Sequence, residues 1–190
     1  MLGPFAFYPT LGYNLLRNYL QPLKWSWYNR IDDDVILGAL PFKSMVEDLK
    51  REKVGGVVCC VEEYELNAPN AMQPSDWEKN EIKFHHIPMQ DFTGSTSRQN
   101  VQKAVKFIEG VAAEGKTCYV HCKAGRTRSA TIVTCYLMKK HDYLPNVAIE
   151  LMKLKRPQVI LHDAHWRTVN EFRRFLDKRR NSSVSSTSSV

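Results

Sequence analysis

The run Tyr119-Val120-His121-Cys122-Lys123-Ala124-Gly125-Arg126-Thr127-Arg128-Ser129 combines one reactive sulfur with a crowd of anion-binding groups. Set between a buried strand and a helix, such a loop gathers unpaired backbone N–H groups and the positive end of the helix dipole around one point. Gly125 lets the chain turn tightly enough for successive N–H groups of Lys123, Ala124, Arg126 and Thr127 to converge on a volume the size of a phosphate. Arg128, six residues after Cys122, can offer two parallel N–H bonds to two phosphate oxygens. The same field acts on the sulfur. A free thiol with a pKa of about 8.5 is only a few per cent ionised at neutral pH, whereas thiols at helix N-termini beside cations fall to roughly 3.5–7.5. Cys122 is therefore expected to be a standing thiolate, placed for in-line attack on phosphorus and a covalent cysteinyl-phosphate intermediate. Ser129 would donate a hydrogen bond to that sulfur and ease its later departure, and His121 would brace the loop without transferring a proton. The spacing of a nucleotide-binding loop, G-x-x-x-x-G-K-[ST], is absent.

Expelling an alkoxide needs a proton donor that can then serve as a base toward water. Asp91, in Pro88-Met89-Gln90-Asp91-Phe92-Thr93-Gly94, is the best candidate, with Gly94 as a point about which its loop could move. Asp76, Asp142 and Asp163 read instead as helix-end residues. Glu62-Glu63-Tyr64-Glu65 follows a strand and should emerge at the sheet edge that carries the cysteine loop. Glu62 or Glu63 is expected to orient Arg128, with Tyr64 offering a ring to the substrate. Lys123 and Arg126 add two charges beside Arg128, more than one phosphomonoester requires, which fits a headgroup with a second phosphate. Cys60 ends a strand that could lie beside the one leading to Cys122, leaving burial or a protective disulfide as its alternatives.

These groups need an α/β frame. Val35 to Leu40, Val54 to Val61, Phe84 to Met89 and Cys118 to His121 are short apolar, β-rich runs with charged, Gly or Pro boundaries. Helical stretches are expected at Arg98 to Glu114, Ser129 to Lys140, Pro145 to Lys155 and Asp163 to Arg179. Strands alternating with helices imply a central, mainly parallel twisted sheet covered on both faces, filling residues 32–180. Residues 181–190 hold six Ser, one Thr, one Asn and two Val and are expected to be disordered.

Residues 1–31 stand apart. They carry no acid but hold Arg17, Lys24 and Arg30, and eight of the twenty aromatic residues. The first sixteen residues are uncharged but too few to span a bilayer, which takes about 20, and Pro4 and Pro9 should interrupt them. The segment reads as a membrane-contacting or organelle-targeting element, with an arm packed on the domain as the competing reading and a secretory signal disfavoured. Overall the chain of 190 residues has a net charge of +7, which favours anionic partners without choosing among them. Five cysteines without a zinc-like spacing or an even count argue against a disulfide framework and a metal site, so no metal or cofactor is expected. The basic group Arg173, Arg174, Lys178, Arg179 and Arg180 reads as a solvated helix end before a lipid contact.

H-C-x-x-G-x-x-R-S resembles the signature of the cysteine-dependent protein tyrosine phosphatase superfamily, and the short chain is similar to its dual-specificity branch. Phe7-Tyr8-Pro9-Thr10, Trp27-Tyr28-x-Arg30-Ile31-Asp32, Leu37-Gly38-Ala39-Leu40-Pro41, Glu62-Glu63-Tyr64-Glu65 and Asp91-x-Thr93-Gly94 further resemble the mitochondrial phosphatidylglycerophosphate phosphatase family, over about residues 5 to 178. That resemblance implies a dual-specificity-like fold and removal of the terminal phosphate from phosphatidylglycerophosphate on the way to cardiolipin. It further implies peripheral contact with the matrix side of the mitochondrial inner membrane and a mobile acid loop at Asp91. Phosphoproteins are the alternative substrate, and no nucleic-acid partner is expected. Two rivals, a non-catalytic phosphate-binding module and a sulfur carrier, are disfavoured because Cys122, Arg128 and an acid occur together.

Overall fold

The computed structural model describes residues 3–91 and 94–187. Its frame is a five-stranded sheet in the order β1-β2-β5-β3-β4, built from β1 (Tyr28–Arg30), β2 (Val35–Gly38), β3 (Val54–Cys59), β4 (Lys83–His86) and β5 (Thr117–His121). Four strands run parallel, and only β1 is antiparallel, to β2. The mainly parallel sheet anticipated from the alternation of apolar runs is thus present. The edge strand β1 was not anticipated, because Tyr28-Asn29-Arg30 is too short and too polar to signal a strand.

Strand periodicity divides the core in two. Ile36, Val57 and Tyr119 point to one face, where Leu49 of α2 (Val46–Arg51) and Trp77 of α4 (Pro74–Lys79) cover them. Leu37, Val58 and Val120 point to the other, against α5 (Arg98–Ala113), α6 (Arg128–His141), α7 (Pro145–Lys155) and α8 (Asp163–Thr187). Helix α5 starts at Ser97, whose hydroxyl accepts from the Asn100 N–H at 3.2 Å, and buries Val101, Ala104, Val105, Ile108 and Val111. Helix α6 is buried from Arg128 to Met138 and ends at Asp142 in the left-handed conformation. Pro145 opens α7 in its first turn, where its missing N–H costs nothing.

Two expectations about the chain ends change. Helix α1 (Gly3–Leu20) runs through both Pro4 and Pro9 and packs on the domain. Phe7, Leu11 and Asn14 are buried along one side, and burying each of the two apolar side chains is worth about 2 kcal/mol, enough to hold a helix whose intrinsic stability is low. At the other end α8 continues to Thr187, past Arg180, where disorder was expected to begin at 181; residues 188–190 lie outside the described residues. Ion pairs stitch this end to α6: Arg173 and Arg180 both bond the carboxylate of Asp142 and that of Asp177. Two of the five cations of that basic group, Arg173 and Arg180, are therefore ion-paired.

Candidate active site

The parallel strands β2, β3 and β5 finish at one edge of the sheet, and their C-terminal loops meet there. The loop after β5 is fixed by backbone pairing on both sides: Cys60 N–H donates to His121 O at 2.9 Å, and Leu40 N–H to Lys123 O at 3.2 Å. Gly125 sits at φ +62°, and a Cβ there would lie 2.4 Å from the carbonyl oxygen of Gly38. No other residue fits that turn without displacing β2. Behind the loop lies Arg156, almost wholly buried at 1% exposure and, among the described residues, without a carboxylate partner. Its guanidinium donates to Gly125 O at 2.7 Å and Ala124 O at 3.1 Å, and to Ser26 O and Asn29 Oδ1 at 3.0 and 2.6 Å. By drawing the loop carbonyls backward it leaves the N–H groups free to face the opposite side, and it ties them to the segment before β1. Burial lowers its pKa to about 10. Arg156 was not singled out in the sequence: it stands just past the helix expected over Pro145 to Lys155, where nothing in Lys-Leu-Lys-Arg-Pro marks a cation that turns inward.

Cys122 is 3% exposed, at the floor of a cavity of about 460 Å³. Ser129 Oγ donates to its sulfur at 3.2 Å, and the backbone N–H groups of Arg126 and Ser129 also point at it. Burial by itself would raise the thiol's pKa, but the Arg128 charge and these three hydrogen bonds outweigh it and bring it below the ordinary value. The other four cysteines are free and buried, and burial raises the pKa of each. Cys60, for which a disulfide was one alternative, is one of these free thiols. His121 is fully buried and its pKa falls to about 3 through desolvation, so it is a neutral ring; its Nδ1 approaches Cys122 O only at 3.4 Å.

Arg128, 1% exposed, is oriented by a residue two or three positions from those expected. Glu65, fully buried in α3 (Glu63–Leu66), accepts from Nη1 at 2.5 Å and from Nη2 at 3.0 Å. Nη1 also donates to Met89 O at 2.9 Å, and Nη2 lies 3.1 Å from Asp91 Oδ1. Nε, buried and without a hydrogen-bond partner among the described residues, remains a donor for a ligand oxygen. Burial would lower the Arg128 pKa, but Glu65, Cys122 and Asp91 raise it, so the charge is permanent. Glu62 and Glu63 do not reach Arg128 and, with Tyr64, do not line the cavity. The Glu62 N–H instead donates to Glu65 Oε2 at 2.8 Å, which aims the carboxylate inward, and Tyr64 packs edge-on against Phe7 with centroids 6.0 Å apart. The three-residue spacing from Glu62 to Glu65, where a helix-capping glutamate turns back on the chain, was the available signal.

Asp91 lines the cavity, beside Cys122 and Arg128. One carboxylate oxygen faces Arg128, and the other bonds Lys123 Nζ. Lys123 was expected to face a second phosphate. It lines the cavity, and its ammonium is held between Asp91 and Thr10 Oγ1, to which it donates at 2.6 Å, and lies over the Phe7 ring. Arg126 stays at the cavity wall, half-buried, with Ala124 and Thr127 beside it. Gly94 N–H closes a turn onto Gln90 O at 3.1 Å; Phe92 and Thr93 lie outside the described residues. Thr10, Tyr13 and Asn14 of α1 form another wall. The arrangement can hold a tetrahedral dianion against inward-facing N–H groups and a guanidinium, with a sulfur anion beneath it and the Asp91 carboxyl group beside it.

Comparison with known proteins agrees with this geometry. Residues 49–175 match the family model for the dual specificity phosphatase catalytic domain. The chain is similar to phosphatidylglycerophosphate phosphatase PTPMT2 of Arabidopsis thaliana, 40% identical over 172 residues that cover 90% of this chain and 73% of that one. It is also similar to phosphatidylglycerophosphatase and protein-tyrosine phosphatase 1 of Mus musculus, at 37% identity over 94% of this chain and 93% of that one. Among solved structures, that of PTPMT1 in complex with PI(5)P superposes with a TM-score of 0.79 at 36% identity, covering 82% of this chain and 99% of the other. A cysteine loop held between β5 and α6, on a sheet of this order and with this breadth of similarity, has one assignment: the chain belongs to the dual-specificity phosphatases and, among them, to the phosphatidylglycerophosphate phosphatase family.

Proposed function

We propose that this phosphatase removes the terminal phosphate of phosphatidylglycerophosphate, giving phosphatidylglycerol for cardiolipin synthesis, at the matrix face of the mitochondrial inner membrane. The observation that carries the reading is Cys122 itself: a sulfur with lowered pKa beneath a cradle of N–H groups, at the floor of a cavity large enough for a headgroup. Relatives spanning nearly the whole chain are named for this lipid, and a solved relative holds PI(5)P, itself a phospholipid bearing a phosphomonoester.

In the first step the Cys122 thiolate attacks phosphorus, forming the S–P bond as the P–O bond to the glycerol carbon chain breaks. Arg128 and the loop N–H groups hold the equatorial oxygens, whose charge they meet before and during transfer. Asp91 delivers the proton to the departing alkoxide. In the second step Asp91 takes a proton from water, the water oxygen bonds phosphorus, and the S–P bond breaks to release inorganic phosphate and restore the thiolate. Ser129 donates to the sulfur as it leaves. An incoming phosphate competes with Asp91 for Arg128, which frees the carboxyl to turn toward the leaving oxygen.

Helix α1 supports the membrane part of the reading. Its buried side faces the site, while Tyr8, Leu15, Leu16, Tyr19 and Leu20 are exposed on a segment without acids. Such a face suits the lipid interface. No helix among the described residues is long and apolar enough to cross a membrane. The test is turnover of phosphatidylglycerophosphate in anionic vesicles against phosphotyrosine and phosphoserine peptides, using one preparation. We expect kcat/KM for the lipid to lead by at least about 100-fold. A lead for the peptides would make the enzyme a protein phosphatase.

A further inference from the structure

Lys123 lines the cavity but is engaged by Asp91 and Thr10, which leaves Arg126 as the loop cation at the cavity wall that carries no carboxylate contact among the described residues. The N-terminal helix supplies what the loop lacks. Arg17 lies with its guanidinium carbon 4.7 Å from the centroid of Trp25, and Arg126, from the other side of the sequence, lies 5.4 Å from that same ring. Arg17 Nε donates to Tyr13 Oη at 2.8 Å, and Arg126 Nε donates to Gln158 O at 3.0 Å. Both guanidiniums are thereby fixed through neutral acceptors. Among the described residues their η nitrogens make no hydrogen bond and no carboxylate pairs with either. Tyr13 and Arg126 line the cavity that has Cys122 at its floor.

Two like charges gathered on one indole, unneutralised, are repulsive until an anion joins them. We propose that Arg17 and Arg126, braced by Trp25 and Tyr13, form a second anion subsite that receives the phosphodiester of the substrate while Arg128 holds the phosphomonoester. This rests on the phosphatase reading of the cavity and extends it. Helix α1 becomes part of the substrate site, and a glycerol separates the two phosphates that the enzyme reads. Arg17 is a specificity residue, remote from the reacting atoms. An Arg suits the position because its planar fork can stack on the indole while its η nitrogens meet two phosphate oxygens.

The test measures binding by calorimetry on the full chain carrying Cys122→Ser, so that no turnover intervenes. The two probes are the deacylated headgroup glycerophosphoglycerophosphate, with two phosphates, and glycerol 3-phosphate, with one. We expect the two-phosphate probe to bind at least about tenfold more tightly, and Arg17→Gln to remove most of that advantage. Arg17→Lys should restore part of it, and Arg126→Gln should mimic the loss. Binding of glycerol 3-phosphate reports the fold of each variant, so an equal loss of both probes on Arg17→Gln counts against the subsite, as does an unchanged ratio. Failure of the phosphatase reading shows elsewhere, as absent turnover of phosphatidylglycerophosphate by the unsubstituted chain.

Discussion

Glu65 and Arg128 meet through two parallel hydrogen bonds at 2.5 and 3.0 Å, with both side chains shut away from solvent. The pair fixes the plane of the guanidinium and leaves Nε for substrate. Breaking a buried ion pair from one side costs about 3–5 kcal/mol, most of it from the charge left behind. Glu65→Gln is therefore expected to lower kcat/KM by about 100-fold and to shift the urea midpoint downward, whereas Glu62→Gln and Glu63→Gln should change kcat/KM by less than about threefold. Steady-state kinetics of the three variants distinguish Glu65 from its neighbours.

Asp91 stands between two cations in the substrate-free site. If it protonates the leaving oxygen, its loss should matter most where that oxygen is most basic. Asp91→Asn is expected to reduce kcat on phosphatidylglycerophosphate by roughly 10²–10⁴, and distinctly less on p-nitrophenyl phosphate, whose leaving group departs without a proton. Equal losses on both substrates would assign Asp91 to binding alone.

His121 predicts how the fold responds to acid. Desolvation places its pKa at about 3 in the folded chain, against roughly 6.5 when unfolded. Between those values the unfolded chain holds a proton that the folded chain does not. Its contribution is fully present above pH ~6.5 and is lost as pH falls toward 3, at up to about 1.4 kcal/mol per pH unit. Urea unfolding of His121→Gln should show a shallower loss of stability over this window than the unsubstituted chain, by close to one proton.

The sulfur loop was readable because every signal there agrees: an apolar strand, a small-residue turn, clustered cations and an apolar helix within eleven or so residues. Strand β5 and helices α5 and α7 fall within a residue or so of their expected ends for the same reason. Packing of α1 was harder to see, since Phe7 and Leu11 are buried while Tyr8, Leu15 and Leu16 are not, and a helix apolar on all sides advertises no inner face. Arg156 was missed, and the pairing of Lys123 was not foreseen, for a shared cause. Both are cations whose partners lie far off in sequence: backbone carbonyls around Ser26 and Ala124 for one, Thr10 and Asp91 for the other. Charge counts cannot reveal which cations fold inward. Glu65 was obscured by two equivalent glutamates, and only the helical turn of α3 decides among them.

The most direct test is the titration of Cys122 in the substrate-free enzyme, followed as the rate of its alkylation by iodoacetate against pH, with the modified peptide identified by mass spectrometry. The rate should reach its plateau through an inflection below the ordinary thiol value of about 8.5, and Ser129→Ala should move that inflection upward. An inflection at or above about 8.5 in the unsubstituted enzyme would mean that Arg128 and the loop N–H groups do not hold a thiolate, and would contradict the cysteinyl-phosphate route.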